Sequence, residues 1–265
     1  MLRTTGKLLA ALMLALLLAT GARAQTVDDI IKKGTLVVAI DTSTPPYAAL
    51  DSSMQPAGFD IDLAGLIAKS LGVKLEFVTV NSPGRIPALL TNRVDMVVSI
   101  FSITAERAQQ IWFSIPYAAQ CSAVVGPKSM AATSLKDLEG KKVSVTRGAA
   151  EDGIISAYSK EHGDSINILR FDDYPSTTSA MLSGQVDLMG GGDYGDIYLR
   201  KNNKGEAFDM KFVLRCFHFG IGIRRGQTDL LQWLNTFVYS VKNDGTLEAL
   251  SQKWRKAPLP NLPVF

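Results

Sequence analysis

The sequence predicts an α/β protein with largely parallel sheets. Two observations carry this prediction: short runs of Leu, Val and Ile that are typical of buried strands, and intervening segments whose apolar residues recur at helical spacing. Such alternation indicates parallel strands in sheets that are covered by helices. The chain of 265 residues is long enough for one large domain or two small ones.

Strands and helices alternate along most of the chain. GTLVVAI at 34–40 is a clear buried strand, and FDIDLAGLIAKSLG at 59–72 is a clear helix that ends at Gly72. Further strands are predicted at 74–80, 94–100, 121–126, 141–145, 165–171 and 186–189. Further helices are predicted at 87–92, 149–161, 175–183, 195–201, 229–244 and 246–254.

An internal repeat suggests two related halves. ALLTNRVDMV at 88–97 aligns without gaps on AMLSGQVDLM at 180–189, with four of ten positions identical. Each segment is typical of a helix end, a tight turn and the start of a strand. We therefore expect Asp95 and Asp187 to stabilise these turns rather than to act in catalysis.

The N-terminus predicts export. Arg3 and Lys7 precede an apolar run at 8–19, and Ala22-Arg23-Ala24 follows it. This pattern is typical of a secretory signal peptide, and the run is too short for a membrane span, although an uncleaved anchor helix is the alternative. We expect cleavage after Ala24 and a soluble periplasmic product.

Composition excludes several classes of function. Without the three basic residues of the signal peptide, the count of Lys and Arg falls from 28 to 25 and equals the 25 Asp and Glu, so we expect no nucleic-acid partner. Two cysteines are too few for a disulfide scaffold or a structural zinc site. His162 and His218 have no metal-ligating neighbours in the sequence, and we expect no metal and no cofactor.

A candidate anion site surrounds Arg107. Thr104 can cap a short helix that begins at Ala105, which puts Arg107 in its first turn, and Ser102 lies on the loop after the strand at 94–100. A carboxylate there would meet a bidentate guanidinium and free backbone N–H groups. The alternative is a structural arginine that pairs with an acid such as Glu106.

Two further turns could bind the ends of a zwitterion. Gly148 follows the strand at 141–145 and opens a helix, so the N–H groups of Ala149 and Ala150 are predicted to point outward. Asp193 follows the strand at 186–189 and three glycines that we expect to be flexible. Its carboxylate could receive an ammonium group or cap the next helix.

These motifs together resemble a known family. GFDIDLAGLIAKSLG (58–72), RIPALLTNRVDMV (85–97), SITAERAQQIWFSIPY (102–117), LEGKKVSVTRGAAEDG (138–153) and GTLEALSQKW (245–254) occur in the order expected of extracytoplasmic solute-binding proteins of polar amino-acid ABC transporters. The resemblance covers residues 30–256. It implies a type II periplasmic-binding-protein-like fold of two lobes joined by two crossover strands, and a monomer that binds a small amino-acid ligand and a membrane permease.

The resemblance also divides the chain. Lobe 1 would comprise 25–118 and 218–265, and lobe 2 would comprise 119–217. Cys121 and Cys216 then fall on the two crossovers, which run side by side in this fold. They could form a disulfide that stiffens the hinge or remain two buried thiols.

Ligand contacts follow from the resemblance position by position. Arg107 matches the clamp on the ligand α-carboxylate, and Ala150 matches a backbone N–H to the same group. Ser102 matches the hydroxyl that accepts from the α-ammonium. Ile100 matches a position that offers its backbone N–H and C=O, and Asp193 matches the carboxylate that pairs with the ammonium.

The side chain of the ligand is less defined. Asp41 resembles the acid of lysine and arginine binders, but these usually carry an aromatic residue where Thr44 stands. Arg85 resembles the basic residue of glutamate and aspartate binders. Asp41 and Arg85 could instead pair with each other. We therefore expect a polar or charged L-amino acid without choosing among them.

An enzyme on the same scaffold is the alternative function. Some relatives resemble this chain yet dehydrate prephenate- or arogenate-like acids, as cyclohexadienyl dehydratases do, and Glu151 is the candidate for the general acid that such a reaction needs. The sequence offers no Ser–His pair, metal cluster or phosphate loop, so we expect no catalytic residues and a binding protein rather than an enzyme.

Overall fold

The computed structural model describes residues 26–192 and 207–263. The predicted signal peptide, the predicted helix at 195–201 and Asp193 lie outside these ranges. None of the helices in the described part of the chain combines the length and apolar character needed to cross a bilayer.

The first part of the chain forms most of lobe 1. Its helices are α1 (Val27–Lys33), α2 (Phe59–Leu71), α3 (Arg85–Leu90) and α4 (Ala105–Ala108), with a 3₁₀ turn at Ser82–Gly84. Its strands are β1 (Thr35–Ile40), β2 (Ser43–Thr44), β3 (Ala48–Leu50), β4 (Pro56–Ala57), β5 (Lys74–Thr79), β6 (Met96–Val97) and β7 (Ile111–Phe113). Strands β2 to β4 make a small antiparallel sheet that periodicity did not predict, because each has only two or three residues.

The middle of the chain forms lobe 2, after which the chain returns to lobe 1. Lobe 2 contains β8 (Ala118–Pro127), a 3₁₀ turn at Leu135–Leu138, β9 (Lys142–Thr146), α5 (Ala150–Glu161), β10 (Asn167–Phe171), α6 (Tyr174–Leu182), β11 (Leu188–Gly192) and β12 (Phe208–Phe219). The chain then re-enters lobe 1 with β13 (Gly222–Arg224), α7 (Thr228–Asn243) and α8 (Thr246–Arg255).

The two large sheets have matching topology. Their strand orders are β5-β1-β6-β13-β7 and β10-β9-β11-β8-β12. In each sheet four strands point one way and one strand, β13 or β8, points the other way. The α/β fold with two lobes is therefore confirmed, and the parallel strands of each sheet end toward the same edge.

Two of the predicted strands have different limits in the structure. The strand predicted at 94–100 is reduced to Met96–Val97, because the chain turns away from the sheet before Ile100, whose φ is +34°. The three glycines expected to be flexible instead complete β11, where they are buried. A side chain at Gly191 would place Cβ 2.9 Å from the Tyr174 ring, so close packing explains the absence of larger residues there.

The predicted repeat is present in the backbone hydrogen bonds. The N–H of Asp95 donates to the carbonyl of Val37 (2.8 Å), and its Oδ2 accepts from the Val37 N–H (2.7 Å). Asp187 does the same with Lys142, at 2.9 and 2.8 Å. Asp95 thus ties a helix–turn unit to β1 in lobe 1, and Asp187 ties the corresponding unit to β9 in lobe 2, which is the structural role expected for them.

The crossover strands form one antiparallel ribbon. Strand β8 leaves lobe 1 and β12 returns to it, and the two pair along most of their length. Cys121 and Cys216 are directly opposite in this register and are joined by a disulfide bond.

We predict unequal costs for removing the two repeat aspartates. Asp95 is buried and also binds Nζ of Lys33 (2.7 Å), whereas Asp187 is half-buried. Asp95→Ala should lower the free energy of unfolding by about 2 kcal/mol and Asp187→Ala by about 1 kcal/mol, because the Asp95 substitution also removes the charge-assisted hydrogen bonds from Lys33. Urea denaturation measures both, and equal losses would contradict this account.

Candidate functional site

A polar cleft lies between the two lobes, at the ends of the parallel strands. The volume that water-sized molecules can occupy between its walls is about 40 Å³. All of the ligand-binding residues predicted from the sequence and present in the described ranges line it: Asp41, Thr44, Arg85, Ile100, Ser102, Arg107, Ala150 and Glu151. Asp193 lies outside the described residues, directly after Gly192, which also lines the cleft.

Arg107 sits where the two lobes meet. As predicted, Thr104 caps the helix that begins at Ala105, and its Oγ1 accepts from the Arg107 N–H at 3.2 Å. One guanidinium nitrogen donates to the Ser102 carbonyl (2.9 Å) and the other to the Gly148 carbonyl of lobe 2 (3.1 Å). The guanidinium also lies 5.0 Å from the centre of the Phe101 ring.

The charge of Arg107 has no counter-ion among the described residues. Burial, together with the nearby Arg85, lowers the pKa of Arg107 to about 10, so the group remains charged at neutral pH. The alternative pairing with Glu106 is not formed, because neither Glu106 nor any other described acid lies within ion-pair distance. A half-buried cation in this state favours the entry of an anion.

The N-terminus of α5 faces Arg107 from lobe 2. Ala150 is the first helical residue, so its N–H has no acceptor within the helix. The N–H of Ala149 was also predicted to point outward, but it donates to the Thr146 carbonyl at 3.0 Å. One backbone donor, on Ala150, therefore supplements the guanidinium.

Ile100 is held by a residue that sequence reasoning missed. Its N–H donates to Oδ2 of Asp60 (2.8 Å), and Oδ1 of Asp60 accepts from the Tyr117 hydroxyl (2.9 Å). The Ile100 N–H was predicted to contact a ligand, but in the structure it is already bonded to Asp60. Of the two backbone groups predicted at this position, the carbonyl is therefore the one left for a ligand. Asp60 lies in the motif GFDIDL, in the first turn of a helix. This acidic residue within an apolar motif was the sequence signal that could have marked it as a candidate site residue.

Asp41 and Arg85 pair with each other, which is the alternative left open by the sequence. Arg85 Nη2 lies 3.5 Å from Asp41 Oδ2 and donates to the Ser82 hydroxyl at 2.9 Å. The other carboxylate oxygen of Asp41 accepts from the N–H and the hydroxyl of Ser43. Arg85 is only 3% exposed, so this pair forms the floor of the cleft in lobe 1.

The lobe 2 wall contains polar residues that the sequence did not single out. Gln120 and Ser122 lie on β8, and Ser122 donates to Glu151 Oε2 at 3.3 Å. Burial raises the pKa of Glu151, although this hydrogen bond and the two cleft arginines oppose the change. The signal available in the sequence was the polar–apolar–polar alternation Gln120-Cys121-Ser122, and in the structure residues 118, 120 and 122 are buried whereas 119 and 121 are half-buried.

The described cleft has groups for binding a small polar molecule and no arrangement for holding a metal. No group of three or more His, Cys, Asp or Glu side chains in residues 26–192 and 207–263 could hold a metal ion. Two α/β lobes that enclose a polar cleft at their strand ends define a two-lobed ligand-binding protein.

Comparison with known proteins gives the family. The model of the bacterial extracellular solute-binding proteins, family 3, matches residues 36–257, and the chain belongs to this family. The putative ABC transporter arginine-binding protein 2 of Escherichia coli (strain K12) is 32% identical over 228 residues, which cover 83% of this chain and 90% of that protein.

Solved structures agree with this assignment. A mutant of ArgBP from T. maritima superposes with a TM-score of 0.81 at 31% identity, over 87% of this chain and 99% of the other. The ancestral amino acid-binding protein AncCDT-1, described as a precursor of cyclohexadienyl dehydratase, superposes with a TM-score of 0.77 at 34% identity, over 86% and 98% of the two chains.

We predict a pH-dependent stability that originates at Asp60. Complete burial raises the pKa of its carboxyl group from 3.8 to about 7, against the lowering effect of its two hydrogen bonds and of Arg85. Between these values the folded protein holds a proton that the unfolded chain has released. The free energy of unfolding should therefore fall as the pH rises from about 4 to about 7, with a slope of up to about 1.4 kcal/mol per pH unit from this group.

Asp60→Asn is the matched control, because the amide can accept from Ile100 and donate to Tyr117. The difference in unfolding free energy between wild type and this variant should change across that pH window and be constant above it. A constant difference throughout, measured by urea denaturation at each pH, would contradict the assignment.

Proposed function

We propose that the protein binds a polar or charged L-amino acid in the periplasm, as a monomer, and delivers it to the membrane permease of an ABC transporter. The observation that carries the proposal is the guanidinium of Arg107, which lacks a counter-ion in the described residues and contacts both lobes. The arginine-binding function named for the Escherichia coli relative supports the same class of ligand.

Each end of an amino acid has suitable partners in the cleft. The α-carboxylate pairs with Arg107 and accepts from the N–H of Ala150. The α-ammonium donates to the Ser102 hydroxyl and the Ile100 carbonyl, and Asp193 supplies the negative charge by resemblance to the family. The hydroxyl of Ser102 has no hydrogen bond to any described residue, so it is available for this contact.

Closure follows from contacts with both lobes. A ligand that touches Arg107 on one side and Ala150 on the other binds the closed arrangement better than the open one, so it shifts the population toward closure. The motion would be a hinge at the crossover ribbon, with lobe 1 as 25–118 and 218–265 and lobe 2 as 119–217. The closed form is then what the permease recognises.

We predict that Arg107→Met removes amino-acid binding. Methionine keeps an aliphatic stem against Phe101 but loses the charge, so affinity should fall at least about 100-fold. The matched control is Arg147→Met, because Arg147 lies on the same lobe 2 loop as Gly148 but is half exposed and pairs with Asp172 at 3.2 Å. Calorimetry with the best ligand from an amino-acid screen measures both variants, and equal affinities would refute the proposal.

A dehydratase is the second candidate, and Glu151 is the observation that favours it. Its carboxyl group is buried in the cleft with a raised pKa, so it could protonate a leaving hydroxyl group. AncCDT-1 shows by its name that this scaffold has been linked to that reaction in another protein.

We expect no turnover when the protein is incubated with prephenate or arogenate and the products are followed by absorbance and NMR. The reason is that the matching family and the arginine-binding relative are named for binding rather than for catalysis. Turnover that is lost in Glu151→Gln would establish the enzyme instead. Turnover that persists in this variant would indicate a contaminant.

A further inference from the structure

Two residues that line the cleft each carry a buried polar atom with no hydrogen-bond partner among the described residues. One is Nε of Arg85, which is a donor, and the other is Oε1 of Gln120, which is an acceptor. Arg85 is 3% exposed and Gln120 is 7% exposed, and both line the cleft from opposite lobes. Leaving such groups unpaired is costly, so they indicate what a ligand supplies.

The described cleft residues include as many arginines as carboxyl groups. Two arginines, Arg85 and Arg107, face two carboxyl groups, Asp41 and Glu151. Asp41 is already held by Arg85 and Ser43. A cationic ligand side chain next to the Asp41–Arg85 pair would meet Arg85 as well as Asp41, and an anionic one would meet Asp41 as well as Arg85, so neither charge would gain a net counter-charge from the pair.

We propose that the bound amino acid has an uncharged side chain that carries both an acceptor and a donor, namely a carboxamide as in glutamine or asparagine. The amide oxygen accepts from Arg85 Nε, and the amide nitrogen donates to Gln120 Oε1. The Ser82 hydroxyl, which accepts from Arg85, keeps its own hydrogen for the amide oxygen. This inference rests on the proposed function and narrows it.

The first test is calorimetry of the wild-type protein with L-glutamine, L-asparagine, L-glutamate, L-arginine and L-norvaline. One of the two amides should bind at least about tenfold more tightly than the charged and apolar compounds, since each satisfied pair contributes that order of affinity. Tighter binding of glutamate, arginine or norvaline would overturn the inference while leaving amino-acid binding intact. Absence of binding by every L-amino acid would overturn the proposed function as well.

Two near-isosteric variants test the named atoms. Gln120→Met removes the orphan acceptor, so affinity for the preferred amide should fall about tenfold relative to the affinity for norvaline. Asp41→Asn leaves Arg85 without its counter-charge, so the preference should move toward L-glutamate or L-aspartate. Thermal unfolding of each variant without ligand checks that it is folded. An equal loss for amide and norvaline in Gln120→Met, or an unchanged preference in Asp41→Asn, would overturn the inference.

Discussion

The cleft is organised around the positive charge of Arg107, which has no counter-ion among the described residues. The Arg107 guanidinium is held on a ring face and by two carbonyl groups, one from each lobe, and none of these neutralises it. Carbonyl groups and an aromatic ring orient the cation but leave its net charge available to an anion. The short helix capped by Thr104 positions this side chain at the gap between the lobes.

The symmetry of the lobes explains why binding groups converge from both sides. In each lobe an aspartate joins a helix–turn–strand unit to the neighbouring parallel strand, which is β1 in lobe 1 and β9 in lobe 2, and the parallel strands then end at one edge of the sheet. Loops after β1 and β6 contribute Asp41 and Ser102, while β9 and the start of α5 contribute Thr146 and Ala150. Because the two edges face each other, a ligand of a few ångströms can reach both lobes at once.

Local sequence was sufficient for the features that depend on neighbouring residues. The helix at 59–72, the Thr104 cap and the turns at Asp95 and Asp187 all rest on contacts within a few residues or on strong periodicity. The long strand β12 was missed because its burial follows no simple alternation. The roles of Asp60, Gln120 and the glycines of β11 depend on residues far away in the chain, such as Ile100 and Tyr174, which no local pattern reveals.

One face of the crossover ribbon lines the cleft, and the other carries the disulfide bond. Gln120 and Ser122 point from β8 into the cleft, and Cys121 between them points the other way, to its covalent partner on β12. In the proposed hinge motion, the strands that bend therefore also form the back wall of the cleft. A ligand in contact with this wall would act on the hinge directly, so the size of the ligand would influence the angle to which the two lobes close. The disulfide on the other face of the ribbon would keep β8 and β12 from sliding past each other. Bending and twisting of the ribbon would then be the motions that set the angle between the lobes.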